Sequence, residues 1–213
     1  MISVVLAEDH ILVRDGLRLL LESQQDIEVV GEASDGRAAL RLVKETCPDV
    51  VLLDVSMPEL DGIEVARRIK RDYPETRCII LSMHANAHYA QRAMEAGAIG
   101  FIVKGAPGQE LVDAVRAASS GHRFLSQVIL DALGERLARP DAGENRIARL
   151  TPRELQVLTL VVEGKTSAEI GETLYLSSKT VDSYRSRLMA KLEVTDVPSL
   201  VKLALRHGLT TLD

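Results

Sequence analysis

Side chains that could do chemistry follow short apolar runs at Glu8, Asp9, Asp54, Ser82 and Lys104. Grouped carboxylates repel one another unless a cation holds them, and their hard oxygen ligands suit Mg²⁺. A carboxylate in such a site can take a phosphoryl group to give an acyl phosphate, which makes Asp54 a candidate nucleophile. The lysine would neutralise phosphoryl oxygens, and the serine hydroxyl would donate a hydrogen bond to one of them. These residue types therefore predict a phosphoryl-accepting site, provided that the fold brings them together.

Each of these residues also has an ordinary structural explanation. Asp54 could cap the turn that follows it, and Glu8 and Asp9 could be the acidic residues favoured near a helix N-terminus. Ser82 could cap the next helix, and Lys104 could be a solvated loop lysine. The site is favoured because all of these residues fall at the ends of expected strands.

Apolar runs alternate with helical patterns over residues 1–121, and glycines and prolines separate them. Strands are expected at residues 2–7, 27–30, 50–53, 78–81 and 99–103. The run Val50 to Leu53 has no polar face, which is typical of a central strand in a parallel sheet. This order predicts an α/β fold, a doubly wound parallel five-stranded sheet with right-handed crossovers. The carboxyl ends of all strands then lie on one edge, where such folds bind ligands.

Residues 1–121 resemble the receiver domain of bacterial two-component response regulators. The resemblance is carried by Glu8-Asp9, Asp54 with Met57-Pro58 and Asp61-Gly62, Leu81-Ser82, and Gly97-Ala98 through Phe101 to Lys104. It implies a flavodoxin-like fold with strand order 2-1-3-4-5. It also implies that a sensor histidine kinase phosphorylates Asp54.

The same resemblance implies a metal site beside Asp54. Mg²⁺ would be held by Asp9, Asp54 and the carbonyl oxygen of Ser56, with Glu8 helping through a water molecule.

The resemblance further implies a switch. Ser82 would move toward the phosphoryl group while the Phe101 ring turns inward, although by itself Phe101 would be interpreted as an ordinary core aromatic. Ser56 and His84, two positions beyond Asp54 and Ser82, would influence how fast the phosphoryl group is lost. His84 could equally be only a helix-start residue.

The chain from residue 150 onward contains only short helical patterns. Capping boxes over 151–154 and 166–169 predict the starts of two helices, the second running through Leu174. A third helix is expected over Ser178 to Leu192 and a fourth over Pro198 to His207.

The third of these helices has one apolar and one polar face. Val181, Leu188 and Leu192 recur at helical spacing and must face the core. The opposite face carries Lys179, Ser183, Ser186, Arg187 and Ala190, with Asp182 beside them. Four cations against one acid give the helix a charge of +3, and short and long polar side chains interleave on it. Such a face can enter a DNA major groove, although a solvated amphipathic face is the alternative.

Residues 150–209 resemble a LuxR-type helix-turn-helix domain. The matching residues are Leu150 to Glu154, Val157-Leu158, Glu163-Gly164, Glu169-Ile170, Leu176-Ser177, Lys179-Thr180-Val181, Arg185 and Lys191-Leu192. The resemblance implies that Asp182, Ser183 and Ser186 meet bases. It implies phosphate contacts for Thr180, Tyr184, Arg185 and Lys191. The chain departs from the family at Tyr184, often His, and at Gly171, often Ala; a tyrosine can still donate to phosphate.

Composition narrows the class of protein. The net charge of −5 is uneven, because residues 1–121 carry 13 Lys+Arg against 19 Asp+Glu, whereas residues 150–213 carry 8 of each. DNA binding by the second half must therefore rest on where its cations lie.

The apolar run at the N-terminus is too short for a signal peptide or a membrane span, so we expect a cytoplasmic protein with no membrane partner. Cys47 and Cys78 lack metal-ligand spacing.

We therefore predict three segments: a receiver domain over 1–121, a linker over 122–147, and a helix-turn-helix domain over 148–213. Within the linker, residues 126–137 read as helical, and residues 139–145, which contain Pro140 and Gly143, read as flexible.

The predicted function is that of a transcription factor of the NarL/FixJ type and not an enzyme, beyond assisting its own phosphorylation and dephosphorylation. Phosphorylation of Asp54 would control dimerisation and binding to promoter DNA, with RNA polymerase as a further partner. The alternatives are a Mg²⁺-dependent phosphatase with an aspartate nucleophile, and a DNA-binding protein with a degenerate receiver.

Overall fold

The computed structural model describes residues 1–58, 60–83, 85, 87–138, 147 and 150–206. The chain divides into two compact units, Met1–Pro140 and Asp141–Asp213. Among the described residues, no helix has the length and apolar character needed to cross a membrane. His84, the predicted flexible stretch 139–145 and the predicted end of the last helix at His207 lie outside the described residues.

A six-stranded parallel sheet forms the centre of the first unit, in the order β2-β1-β3-β4-β5-β6. The strands are β1 Ile2–Ala7, β2 Ile27–Ala33, β3 Val50–Asp54, β4 Arg77–Ser82, β5 Gly100–Val103 and β6 Phe124–Leu125. The predicted α/β fold and the order 2-1-3-4-5 are confirmed. The predicted number of strands is wrong by one, because β6 has only two residues and no periodicity of its own.

Helices cover both faces of this sheet. They are α1 Ile11–Glu22, α2 Gly36–Thr46, α3 Gly62–Asp72, α4 Ala87–Ala96, α5 Gly108–Ser119 and α6 Gln127–Ala138. Val50 and Leu52 belong to a core with α1 and α5, whereas the alternate residues Val51 and Leu53 are buried on the opposite face. The unbroken apolar run Val50 to Leu53 is buried, as predicted, and so is Asp54, the last residue of β3.

The helix α6 belongs to the first unit. It contacts α4, and its Ile129 is fully buried. Residues 122–138, which we predicted as part of the linker, therefore group with the first compact unit. A helical pattern of one apolar face predicts burial but does not say against which unit.

Four helices make up the described part of the second unit: α7 Pro152–Val162, α8 Ser167–Leu174, α9 Ser178–Leu192 and α10 Val197–Arg206. Both predicted capping boxes are present, at Thr151 with Glu154 and at Thr166 with Glu169. The predicted bounds of α9 are confirmed, since a serine N-cap and a left-handed C-cap mark its ends. Contacts join α9 to both α7 and α8.

Candidate functional site

Four of the predicted reactive residues meet at the carboxyl edge of the sheet. The Lys104 Nζ lies 2.7 Å from Oε2 of Glu8 and 3.0 Å from Oδ1 of Asp54. Asp9 joins them, because its carboxylate oxygen lies within 4.8 Å of those of Glu8 and Asp54. The parallel strands β1 and β3 end side by side and β5 ends two strands away, so three chain segments deliver one charged cluster.

Asp54 is held in place by a close approach of the backbone. Asp54 is 3% exposed at the end of β3. A Cβ added to Gly62 would lie 2.2 Å from the Asp54 carbonyl oxygen, so only glycine allows α3 to begin this close to the strand. Asp61 caps that helix by accepting a hydrogen bond from the Glu64 amide. After the strand, Gly62 is thus required by the close approach to Asp54, and Asp61 is required to cap α3.

Burial and charge shift the two central pKa values. Burial raises the pKa of Asp54, and the nearby Glu8 carboxylate adds to this, while the Lys104 ammonium acts in the opposite direction. For Lys104, burial lowers the pKa, but Asp54 and Glu8 outweigh it, so the net direction is upward. The lysine therefore stays charged and supplies the cation that allows acidic side chains to be buried together.

The donor set at this edge fits a hard divalent cation. Among the described residues, ligand atoms of Glu8, Asp9, His10 and Asp54 lie within 4.8 Å of one another. Oδ1 of Asp9 is buried without a well-directed hydrogen bond, although His10 Nδ1 lies 2.7 Å away. Carboxylate oxygens in this number suit Mg²⁺. We did not predict from the sequence that His10 would lie in this group, although its position directly after Glu8-Asp9 was an available signal.

The remaining predicted receiver residues lie around this cluster. The backbone N–H of Ser56 faces the Asp54 carboxylate and tends to lower its pKa, against the larger effect of burial. Ser82 is buried at the end of β4, and its carbonyl accepts a hydrogen bond of 2.8 Å from the Lys104 amide. Phe101 is fully buried in β5. Two neighbouring strands thus bring the hydroxyl and the lysine to the same edge.

The predicted DNA-binding face of α9 is exposed. Val181, Leu188 and Leu192 are fully buried, as expected for its core face. The exposed set is Lys179, Asp182, Ser183, Ser186, Arg187 and Ala190, and the half-buried set is Thr180, Tyr184, Arg185 and Lys191. The division matches the two faces predicted from the helical spacing, with the candidate phosphate-contacting residues at the margin.

Several of these side chains are already oriented by contacts within the domain. The Arg187 guanidinium lies 5.0 Å from the centre of the Tyr184 ring. The Thr180 hydroxyl is 2.8 Å from that of Ser177, the N-cap of α9. The Ser186 hydroxyl donates to the carbonyl of Asp182.

One residue predicted to contact phosphate, Lys191, also has a partner within the domain. The Lys191 Nζ donates a hydrogen bond of 2.6 Å to Oε2 of Glu154, which is 2% exposed. The same oxygen accepts from the Thr151 amide at 2.8 Å, so it closes the capping box of α7 as well. Sequence reasoning found Glu154 only as a capping residue, because the two partners lie 37 positions apart.

Known proteins resemble this chain along nearly its whole length. The protein-family model described as "Response regulator receiver domain" matches residues 4–116. The family model described as "Bacterial regulatory proteins, luxR family" matches residues 148–204. The response regulator UvrY of Escherichia coli K12 is 41% identical over 209 residues, which cover 98% of this chain and 96% of that relative. The transcriptional regulatory protein LiaR of Bacillus subtilis is 40% identical over 211 residues, with 98% and 99% covered.

Solved structures of the response regulator RcsB show the same similarity in three dimensions. The Salmonella typhimurium protein aligns with a TM-score of 0.61 at 30% identity, covering 94% of this chain and 96% of that one. A structure of an RcsB–DNA complex aligns with a TM-score of 0.60 at 29% identity, covering 96% and 98%.

Proposed function

Because the chain belongs to the response regulators that join a receiver domain to a LuxR-type DNA-binding domain, we propose that phosphorylation of Asp54 by a sensor histidine kinase controls its binding to promoter DNA. The observation that carries this proposal is the Lys104 ammonium, which lies 3.0 Å from the Asp54 carboxylate beside two further acids. This set of groups is what an acyl-phosphate site requires.

In the proposed transfer, an Asp54 carboxylate oxygen attacks the phosphorus of a phosphohistidine on the kinase. The new oxygen–phosphorus bond forms as the nitrogen–phosphorus bond breaks, and the histidine leaves. Lys104 would then face phosphoryl oxygens as well as Glu8, and the Ser82 hydroxyl would donate a hydrogen bond to one of them. The domain thereby assists only its own phosphorylation and dephosphorylation.

Mg²⁺ is the cofactor we propose for this step. Asp9, Asp54 and the Ser56 carbonyl oxygen would hold the ion, with Glu8 acting through a water molecule. Bound there, it supplies positive charge that neutralises the incoming phosphoryl oxygens. The close carboxylates at the sheet edge support this assignment.

The proposed readout is a two-state shift of the receiver. Ser82 and Phe101 would change position when the phosphoryl group arrives, and the active form would be a homodimer. A dimer would bind a two-fold or tandem DNA site, because one short helix reads few base pairs. RNA polymerase is the further partner that we propose for transcriptional control, and the DNA target implies a cytoplasmic location.

Phosphoryl uptake tests the assignment of Asp54. With acetyl phosphate and Mg²⁺, the wild-type chain should gain one phosphoryl group, measured by intact-protein mass, and Asp54→Asn should gain none. The exposed Asp72, paired with Arg71 on α3, provides the control, since Asp72→Asn should label like the wild type. Equal labelling of Asp54→Asn would contradict the proposal, and stoichiometric labelling of the wild type would exclude a degenerate receiver.

We propose that residues 148–213 form the DNA-binding domain and that α9 enters the major groove. Base contacts are assigned to Asp182, Ser183 and Ser186. Phosphate contacts are assigned to Thr180, Tyr184, Arg185 and Lys191, with Lys179 and Arg187 on the same surface. The exposure of this face and the RcsB–DNA complex among the similar structures support the proposal.

The salt dependence of DNA binding tests this surface. Arg187→Ala should weaken promoter binding and lower the slope of log K against log salt by about 1, because one phosphate neutralisation is lost. Lys202→Ala, an exposed cation on α10, is the matched control and should leave the slope unchanged. Lys191→Ala should weaken binding too, but it also removes the cationic partner of buried Glu154, so its stability must be measured alongside. An unchanged slope for Arg187→Ala would count against this face.

A further inference from the structure

The hydroxyl of Ser167 joins two side chains of the proposed recognition helix. It donates a hydrogen bond of 2.6 Å to Oδ1 of Asp182, and Nη1 of Arg185 donates one of 3.1 Å to the same hydroxyl oxygen. Ser167 is half-buried at the start of α8, whereas Asp182 is exposed on α9. Asp182 and Arg185 are thus connected through a residue of another helix.

In this bridge the Ser167 hydroxyl donates one hydrogen bond and accepts another. A serine has a single proton to donate, and Ser167 gives it to Asp182 while accepting from Arg185. Both bonds involve a charged partner and are therefore among the stronger kinds in proteins. The bridge restricts the rotation of the Asp182 carboxylate and leaves Oδ2 without a role in it.

From this geometry we infer that Ser167 is a positioning residue for base recognition by Asp182. The inference deepens the proposed DNA-binding function and rests on it. In the major groove a carboxylate accepts a hydrogen bond from an exocyclic amino group, on cytosine N4 or adenine N6, and is repelled by the acceptor oxygens of guanine and thymine. A carboxylate fixed by Ser167 therefore discriminates bases that present an amino group from bases that present an acceptor oxygen, at one position of the DNA site.

The inference is tested with the full chain and double-stranded DNA. Selection from a randomised duplex library yields the preferred site, and fluorescence anisotropy then measures affinity for that site and for each single-base variant. The Asp182→Ala variant identifies the position that Asp182 reads. There, Ser167→Ala should lower discrimination about five- to tenfold, with the other positions and the salt slope unchanged.

Two variants separate positioning from a general structural effect. Ser167→Thr keeps the hydroxyl and should restore the discrimination. Thr173→Ala removes a hydroxyl of α8 whose hydrogen bond, among the described residues, stays within its own helix at the carbonyl of Glu169, and it should leave every ratio as in the wild type. An equal loss of affinity for all sequences in Ser167→Ala would mean a merely structural role and would overturn the inference, as would unchanged ratios.

A second measurement does not depend on DNA. If Ser167 and Asp182 interact, the shifts in thermal midpoint of Ser167→Ala and Asp182→Ala will not add in the double variant. Additive shifts would overturn the inference while leaving the DNA-binding proposal intact. If the shifts are non-additive but the wild-type chain enriches no sequence from the DNA library, the Ser167–Asp182 interaction exists and the proposed DNA-binding function is wrong.

Discussion

Single atoms decide whether the site at the sheet edge can form. The position of Gly62 is an example, because its α-carbon lies directly against the carbonyl of Asp54. The charges of Glu8, Asp54 and Lys104 are another, since each is buried and tolerable only beside the others. Removing one member of such a set leaves an uncompensated buried charge.

Substitution of Gly62 by alanine should destabilise the first unit. The added Cβ would lie 2.2 Å from the carbonyl oxygen of Asp54, so β3 and α3 must move apart. We expect a loss of about 1 to 3 kcal/mol in the free energy of unfolding, measured by urea denaturation. Phosphoryl uptake by Asp54 should slow in the same variant.

Gly16 supplies the control for this prediction. It lies within α1, and a Cβ there would meet nothing within 4 Å. Gly16→Ala should therefore stabilise the chain by about 0.5 to 1 kcal/mol through helix propensity. Equal effects of the two alanine substitutions would show that the close approach at Gly62 is unimportant.

At the level of whole elements, the two capping boxes of the second unit differ in their surroundings. Both begin with a threonine and close with a glutamate, but Glu154 is buried and bonded to Lys191 on α9, whereas Glu169 is exposed. The box of α7 therefore fixes α9 in addition to satisfying its own helix end. The hydrogen bonds of the α8 box stay within its own helix end in the described part of the chain.

Glu154→Gln should destabilise the second unit at neutral pH. Burial tends to raise the Glu154 pKa, but the Lys191 ammonium and the hydrogen bonds from Thr151 outweigh it and bring the pKa below its ordinary value of 4.5. A lowered folded-state pKa gives stability that is complete above 4.5 and is lost as the pH falls through the folded value. The difference in thermal midpoint between wild type and variant should therefore shrink in acid.

The comparison with Glu169 makes this test specific. Glu169 closes an otherwise similar capping box, and the amide oxygen of a glutamine can still accept the hydrogen bonds from Thr166, so Glu169→Gln removes an exposed charge without removing a buried ion pair. Its effect on the thermal midpoint should be the smaller of the two. A pH-independent effect of Glu154→Gln would contradict the ion-pair explanation.

Over the whole molecule, the proposed function requires that charge added to one unit alter the DNA affinity of the other. The proposed acyl phosphate adds negative charge to a unit whose residues 1–121 already carry 13 cations against 19 acids. Coupling between separate sites in a protein amounts to about 1 to 3 kcal/mol.

Phosphorylation should therefore raise the affinity for the selected DNA site by about 5- to 150-fold, measured by anisotropy with and without acetyl phosphate. Sedimentation velocity in the same samples should show a shift from monomer toward dimer. Asp54→Asn should bind with the unphosphorylated affinity under both conditions. A response to acetyl phosphate in that variant would mean that another group carries the signal.

The fold and most of the site could be predicted because their signals are local. Alternating strands and helices, Asp54 after an unbroken apolar run, and the capping residues of α7 to α9 are all visible within short stretches of sequence. Where the local signal was weak, the sequence predicted less: β6 is too short to show a period and was not predicted, and the apolar face of α6 predicted burial without identifying the unit that buries it.

The sequence by itself determined that strand-end acids, a serine and a lysine would share one edge of a parallel sheet, since parallel strands align their carboxyl ends. It also determined the two faces of α9. Only the tertiary structure decided that Gly62 touches the Asp54 backbone, that Lys191 bonds Glu154, and that Ser167 bridges Asp182 and Arg185. These contacts join residues of different elements at distances of a few ångströms, which depend on how the elements pack and leave no periodic mark on the chain.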